Sequence, residues 1–294
     1  PCVEQQLEDA ELCCLVETYP AKHDSYEDYL RTLKIAYLYG KTVTLVNTHW
    51  PETNAIMLKN RRIGLSQSGV VQAFAKHGKR ELYNWCDNAY EHVQKLDAEY
   101  SDWLCVPRSV RMTSIKPSGT VSLLNGSTPG IHFPESEYYI RRIRFSNSSK
   151  LLPFLVAAGY KTEKDEYSPN TTCVEFPVKE PYYVKSKKEV SMWEQLEIAA
   201  QYQHYWADNS VSITVTFNDE EAPNLKSALE MYETRLKAVS FLKYNDTGYK
   251  QAPYEPITKE EYEAMTANIT PVVKIEDAEE GTGSKFCTND TCTI

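Results

Sequence analysis

Stretches with a helical apolar period alternate along this chain with short β-branched runs, and that alternation restricts it to folds that layer helices on a sheet. Over 25–40, Tyr29, Leu30, Leu33 and Tyr37 recur at helical spacing, with acids early and Gly40 at the exit. A β-branched strand is expected over 41–47. Leu82, Trp85, Ala89, Val93 and Leu96 predict a helix over 79–104, and 109–115 extends as a strand into the turn Lys116-Pro117-Ser118-Gly119-Thr120. Strands are expected at 138–145, 171–178 and 210–217, with long helices at 192–206 and 224–241. The fold class that follows is α/β, as a sheet or a barrel.

With 294 residues, 41% of them hydrophobic, the chain can bury a substantial core. A net charge of −9 argues against binding a nucleic acid polymer, which draws its affinity from clustered Lys and Arg. No run of about 18 apolar residues exists to span a membrane, and no basic-then-apolar start marks a secretory signal. Eight cysteines, scattered over this length, do not make a disulfide scaffold, so a reducing compartment, the cytoplasm, is expected. Beyond 270 the chain turns polar and acidic, which divides it into a body at 1–270 and a flexible tail at 271–294. The chain opens inside a motif without an initiator methionine, and is therefore expected to be a fragment.

Three constellations carry chemistry. Cys2 and Glu4, two residues apart, face one way in an extended loop, joining a thiol that can give up a hydrogen atom to a carboxylate that can take a proton. The plainer reading is a buried cysteine beside a surface glutamate. In the 117–120 turn, small residues and hydroxyls let backbone N–H groups approach a phosphate, or simply join a strand to a helix. Cys287 and Cys292, with four residues between them on the tail and no further metal ligands nearby, read as a thiol–disulfide exchange pair, or as two incidental exposed cysteines. Cys86, Cys105 and Cys173 read as core residues, and His132 as a structural histidine. Arg141, Arg142 and Arg144 read as a solvated strand face.

The opening string PCVEQQLEDAELCCL resembles the active-site segment of ribonucleotide reductases, an Asn-Pro-Cys-x-Glu loop followed about eleven residues later by a second cysteine. The resemblance implies that Cys2 carries a thiyl radical, that Glu4 is the base on the ribose 3′-hydroxyl, and that Cys13, with Cys14 adjacent, is one of two reducing thiols. It places Pro117, Ser118, Gly119 and Thr120 at the substrate phosphate, and makes Cys287 and Cys292 the tail dithiol that restores the site from a thioredoxin-like reductant. KPSGTVSLL and PGIH look like the adenosylcobalamin-dependent branch in its triphosphate-reducing form. The oxygen-dependent branch has a tyrosine pair before its last cysteines, and here no tyrosine follows Tyr262; nor does Gly281-Thr282-Gly283 resemble a glycyl-radical segment.

By the same resemblance the fold is the C-terminal half of a ten-stranded α/β barrel with a flexible tail. The cofactor is adenosylcobalamin, the substrate a ribonucleotide, and the missing N-terminal half of the enzyme a partner without which the chain is inactive. Two competing readings are a nucleotide-binding module built on 117–120, which makes Cys2 and Cys13 dispensable, and a thiol–disulfide oxidoreductase using Cys287 and Cys292 alone.

Overall fold

The computed structural model describes residues 3–244 and 250–272. They form an α/β fold in two compact units, one drawn from 3–134 and 180–244, the other from 135–179 and 250–272. Cys2, Cys287 and Cys292 lie outside the described residues.

In the first unit, Leu15–Thr18 pairs in parallel with Gly64–Gln67. Parallel bridges Leu65 to Thr113 and Ile115 to Val211 continue the array, and Thr214–Phe217 pairs in parallel with Ser240–Lys243. Five extended segments therefore lie side by side in chain order, all in one direction. The chain steps to the next neighbour each time and never reverses its order, unlike a doubly wound sheet, which has a switch point.

Helices fill the crossovers. Tyr26–Val43 starts at Ser25, whose hydroxyl accepts the Asp28 N–H at 3.2 Å, and it buries Tyr29, Leu33 and Tyr37 on one face. Lys79–Leu104 buries Leu82, Trp85, Ala89, Val93 and Leu96 as its spacing predicts, and ends at Cys105 in the left-handed region, φ 52°. Met192–Tyr205 likewise matches expectation.

Two expectations are corrected. No strand forms at 41–47: the first helix runs on to Val43, with Lys41 drawn into a buried ion pair with Asp97, and 44–47 are turn and loop. The expected helix over 224–241 stops at Tyr232, since Ser240–Lys243 is taken as a strand by Thr214–Phe217. Tertiary pairing overrides local propensity in both.

The second unit holds an antiparallel sheet in the order Lys161–Lys164, Thr171–Lys179, Tyr138–Ser146, Tyr254–Pro256. Of its three arginines, Arg144 is exposed and Arg141 half-buried as a solvated face would have them, but Arg142 is not solvated. Arg142, 8% exposed, pairs with Glu175 at 3.0 Å, Glu163 at 3.3 Å and Glu255 at 2.5 Å, while Arg144 pairs with Asp165 at 3.0 Å. No helix among the described residues is long and apolar enough to cross a membrane.

Candidate active site

The segment after Val3 is tied across the parallel array. The Glu4 carbonyl accepts the Ser210 N–H at 3.1 Å and the Ser114 hydroxyl at 3.0 Å, so it bridges two neighbouring extended segments. The Gln5 amide donates to the Cys14 carbonyl at 3.0 Å, and the same carbonyl accepts the Gly64 N–H at 2.8 Å. A side chain at position 64 would collide with the Gln5 amide and with Leu15, so glycine there lets the segment pass.

Asn209 braces this floor. Its side-chain amide donates to the carbonyls of Ile63 at 2.8 Å and Thr113 at 2.9 Å, and its oxygen accepts from Arg62 at 3.2 Å. Arg62 in turn pairs with the buried Glu11 at 2.9 Å, which gives that carboxylate a counter-charge.

This architecture brings Glu4 and Cys13 together. The Cys13 Sγ lies 3.8 Å from Glu4 Oε1; Glu4 is buried, whereas Cys13 keeps an exposed edge. The adjacent Cys14 is buried, and burial pushes its thiol up. Burial, and then the Glu4 charge beside it, push the Cys13 thiol up to about 12, with Lys116 acting in the opposite sense. Cys13 is therefore protonated at neutral pH. Alkylation of Cys13 by iodoacetamide should be slow at pH 8, and Glu4→Gln should speed it by about tenfold, the effect of about one unit on the thiolate fraction. Peptide mass spectrometry reads this directly; an unchanged rate in Glu4→Gln would mean that the two groups do not face each other.

The 117–120 turn leaves the third extended segment directly after Lys116, whose charge reaches the Cys13 thiol. Ser118 is buried, and a Cβ built on Gly119 meets nothing within 4 Å, so the backbone there borders free space. The hydroxyls of Ser122, Ser127 and Thr128, just beyond, are buried without a hydrogen-bond partner among the described residues. His132 is structural, as expected. Its Nε2 accepts the Thr214 N–H at 3.1 Å, which leaves the proton on Nδ1, 3.1 Å from the Pro129 carbonyl.

Three features of the site carried no signal in the sequence reading: Glu17, the Ser66–Ser68 pair and Asn209. Burial pushes the Glu17 carboxyl up to about 7, against hydrogen bonds from Ser68 and Ser66 and the charge of Lys116. Cys86 and Cys173 are core residues, but Cys105 is exposed, because the left-handed turn it makes at the helix end points it outward. Among the described residues no group of three His, Cys, Asp or Glu side chains is placed to hold a metal ion.

No family model matches the chain. Over its whole length it is 50% identical to the probable adenosylcobalamin-dependent ribonucleoside-triphosphate reductase of Dictyostelium discoideum, covering 40% of that protein. It is 47% identical over 99% of its length to the corresponding enzyme of Euglena gracilis, covering 41% of it. A crystal structure of a B-12 dependent (class II) ribonucleotide reductase superposes with a TM-score of 0.83 at 37% identity, over 92% of this chain and 42% of that one. The α subunit of the Actinobacillus ureae class Id ribonucleotide reductase shares the fold, with a TM-score of 0.59 at 17% identity over 83% of this chain and 52% of that one. The chain thus spans about two-fifths of the length of the curated relatives it matches.

Proposed function

We propose, from the premise that this chain belongs to the adenosylcobalamin-dependent ribonucleotide reductase family as a segment of the longer enzyme, that it supplies the catalytic loop and phosphate site for reducing ribonucleoside triphosphates to 2′-deoxyribonucleotides. The observation that carries this reading is the buried Glu4 side chain, with Oε1 3.8 Å from the Cys13 Sγ, in reach of Lys116, which precedes the 117–120 turn. Five parallel segments wound in chain order support half of a ten-stranded barrel in the first unit, while 135–179 and 250–272, expected to belong to it, form the separate antiparallel unit.

In this reading Cys2, as a thiyl radical, takes the ribose 3′ hydrogen and later returns it. Glu4 accepts the proton of the 3′-hydroxyl, which helps the 2′-hydroxyl to leave as water. Cys13 and a second thiol from outside this chain supply two electrons and two protons, and end as a disulfide. A thiol held protonated near pH 7 suits a step that delivers hydrogen together with an electron. Cys287 and Cys292 reduce that disulfide by exchange and are themselves restored by a thioredoxin-like dithiol.

Bound adenosylcobalamin would supply the initiating radical to Cys2. That assignment rests on the relatives' names and on the place of Cys2 in the sequence. The described cysteines Cys13, Cys14, Cys86, Cys105 and Cys173 are free thiols, which supports a reducing compartment, the cytoplasm.

The test joins the chain to the upstream part of a relative and follows deoxynucleotide formation from CTP and CDP, with a dithiol, with and without adenosylcobalamin. Product only with the cofactor, and more from CTP, is expected; a folded protein that makes none under any condition rejects the reading. In the same assay Gly119→Ala should raise KM for nucleotide by about tenfold without loss of fold. The added methyl fills the free space a phosphate would enter, at the cost of a charge-assisted hydrogen bond.

A further inference from the structure

The loop from Lys116 to Gly130 closes on itself at a narrow neck. Gly130, at φ 52°, packs so closely that a Cβ there would lie 3.0 Å from the Lys116 carbonyl oxygen. Each side of the neck is held by one hydroxyl: the Lys116 N–H donates to Ser66 Oγ at 2.9 Å, and the Gly130 N–H donates to Ser68 Oγ at 2.9 Å. Ser66 and Ser68 are fully buried. Their own protons need acceptors: Ser66 Oγ donates to Glu17 Oε1 at 3.1 Å, and Ser68 is near enough to lower the titration of the same carboxyl. Glu17 stands opposite Ser66 in the parallel register, so the contact is built into the pairing of the first two strands.

We propose that Glu17 is a positioning residue whose carboxylate takes the hydroxyl protons of Ser66 and Ser68, turning their lone pairs to the amides of Lys116 and Gly130 and so holding shut the neck of the loop that carries 117–120. A hydroxyl can donate once, and where it donates decides which way its lone pairs face. A carboxylate accepts from both serines, whereas a protonated carboxyl donates to one of them and turns that hydroxyl round. Glu17 changes state near pH 7, so the grip on the neck tightens as pH rises through that value. The other groups that face Glu17 are Lys116, which favours its charged form, Glu4, which opposes it, and the phenols of Tyr19 and Tyr29. The purpose of this grip, presenting the turn to a phosphate, rests on the function proposed above; the wiring itself does not.

The test uses the whole chain, isotope-labelled, with the Glu17 side-chain carbon and the amides of Lys116 and Gly130 followed by NMR from pH 5.5 to 8.5. Both amides should shift with the midpoint of Glu17 and, relative to the base-catalysed rate of an unfolded chain at the same pH, be more strongly protected from exchange above it. In Glu17→Gln the pH response should vanish and both amides should exchange about tenfold faster, while the core strand amide of Val215 stays unchanged. Ser66→Ala should uncouple Lys116 and leave Gly130 coupled. Amides that ignore the Glu17 titration in the unsubstituted chain, or keep their exchange rates in Glu17→Gln, overturn the proposal, and the first of these needs no variant to fold. Added tripolyphosphate separates the two readings: neck amides that follow Glu17 while those of Ser118, Gly119 and Thr120 ignore tripolyphosphate uphold the positioning role and defeat the phosphate site.

Discussion

Replacing Cys2 by serine in the chain joined to its upstream part should cut deoxynucleotide formation by about 10³-fold or more while nucleotide binding is retained. A hydroxyl holds its hydrogen far more tightly than a thiol does, so serine fills the position without forming the radical. Binding survives because the 117–120 turn is held by Ser66, Ser68 and Glu17, none of which depends on Cys2. Turnover assays paired with calorimetric CTP binding make the measurement. Unchanged turnover would reduce the chain to a nucleotide-binding module. Loss of both activity and binding would mean that Cys2 shapes the site instead of reacting in it.

The largest effect on stability is expected at Asp97. Lys41, with no exposed side-chain surface, donates to Asp97 Oδ1 at 2.7 Å, to Ser109 Oγ at 2.9 Å and to the Pro107 carbonyl at 3.2 Å. Asp97 also accepts from the Tyr37 hydroxyl at 2.8 Å and the Ser109 N–H at 3.0 Å. Asp97→Ala leaves a buried ammonium without its counter-charge and the Ser109 N–H without an acceptor, and leaves the Tyr37 hydroxyl only Ser109 Oγ at 3.3 Å. A loss of roughly 3–5 kcal/mol is expected. Burial already draws the Lys41 ammonium below its ordinary range, so without Asp97 it would shed its proton to stay inside. Urea unfolding followed by tryptophan fluorescence reports on the first unit alone, since Trp50, Trp85, Trp103, Trp193 and Trp206 all lie within it. A loss under about 1 kcal/mol would show that the pair is not the anchor described.

Long periodic segments were legible in the sequence because their buried face is written into them. The helix Lys79–Leu104 buries each apolar residue its period selects, and Tyr138–Ser146 and Thr171–Lys179 pair along their full lengths. Segments of four to eight residues were not, because a distant partner decides them: Lys41 is helical on account of Asp97, and Ser240–Lys243 is a strand on account of Thr214–Phe217. The pairing of Glu4 with Cys13 was accessible only through the resemblance of the opening motif. Glu17 was hidden because, within Leu15–Thr18, it reads as one polar residue on a short strand, and its meaning comes from Ser66 and Ser68 some fifty positions away. The division into two units left no mark in composition or in turn signals.

The second unit interrupts the crossover that joins the third extended segment to the fourth, and this sets a timetable for synthesis. Ile115 needs Val211 as its parallel neighbour, and 95 residues separate them. At about 5–20 residues per second, a ribosome leaves that edge waiting for roughly 5–20 s. The antiparallel pair Tyr138–Ser146 with Thr171–Lys179 emerges in that interval and can close on local contacts alone, within microseconds to milliseconds. That antiparallel pair thus forms first, although its sheet is completed only when Tyr254–Pro256 follows the parallel array, and the unfinished apolar edge beside Ile115 is the surface a nascent-chain chaperone would meet.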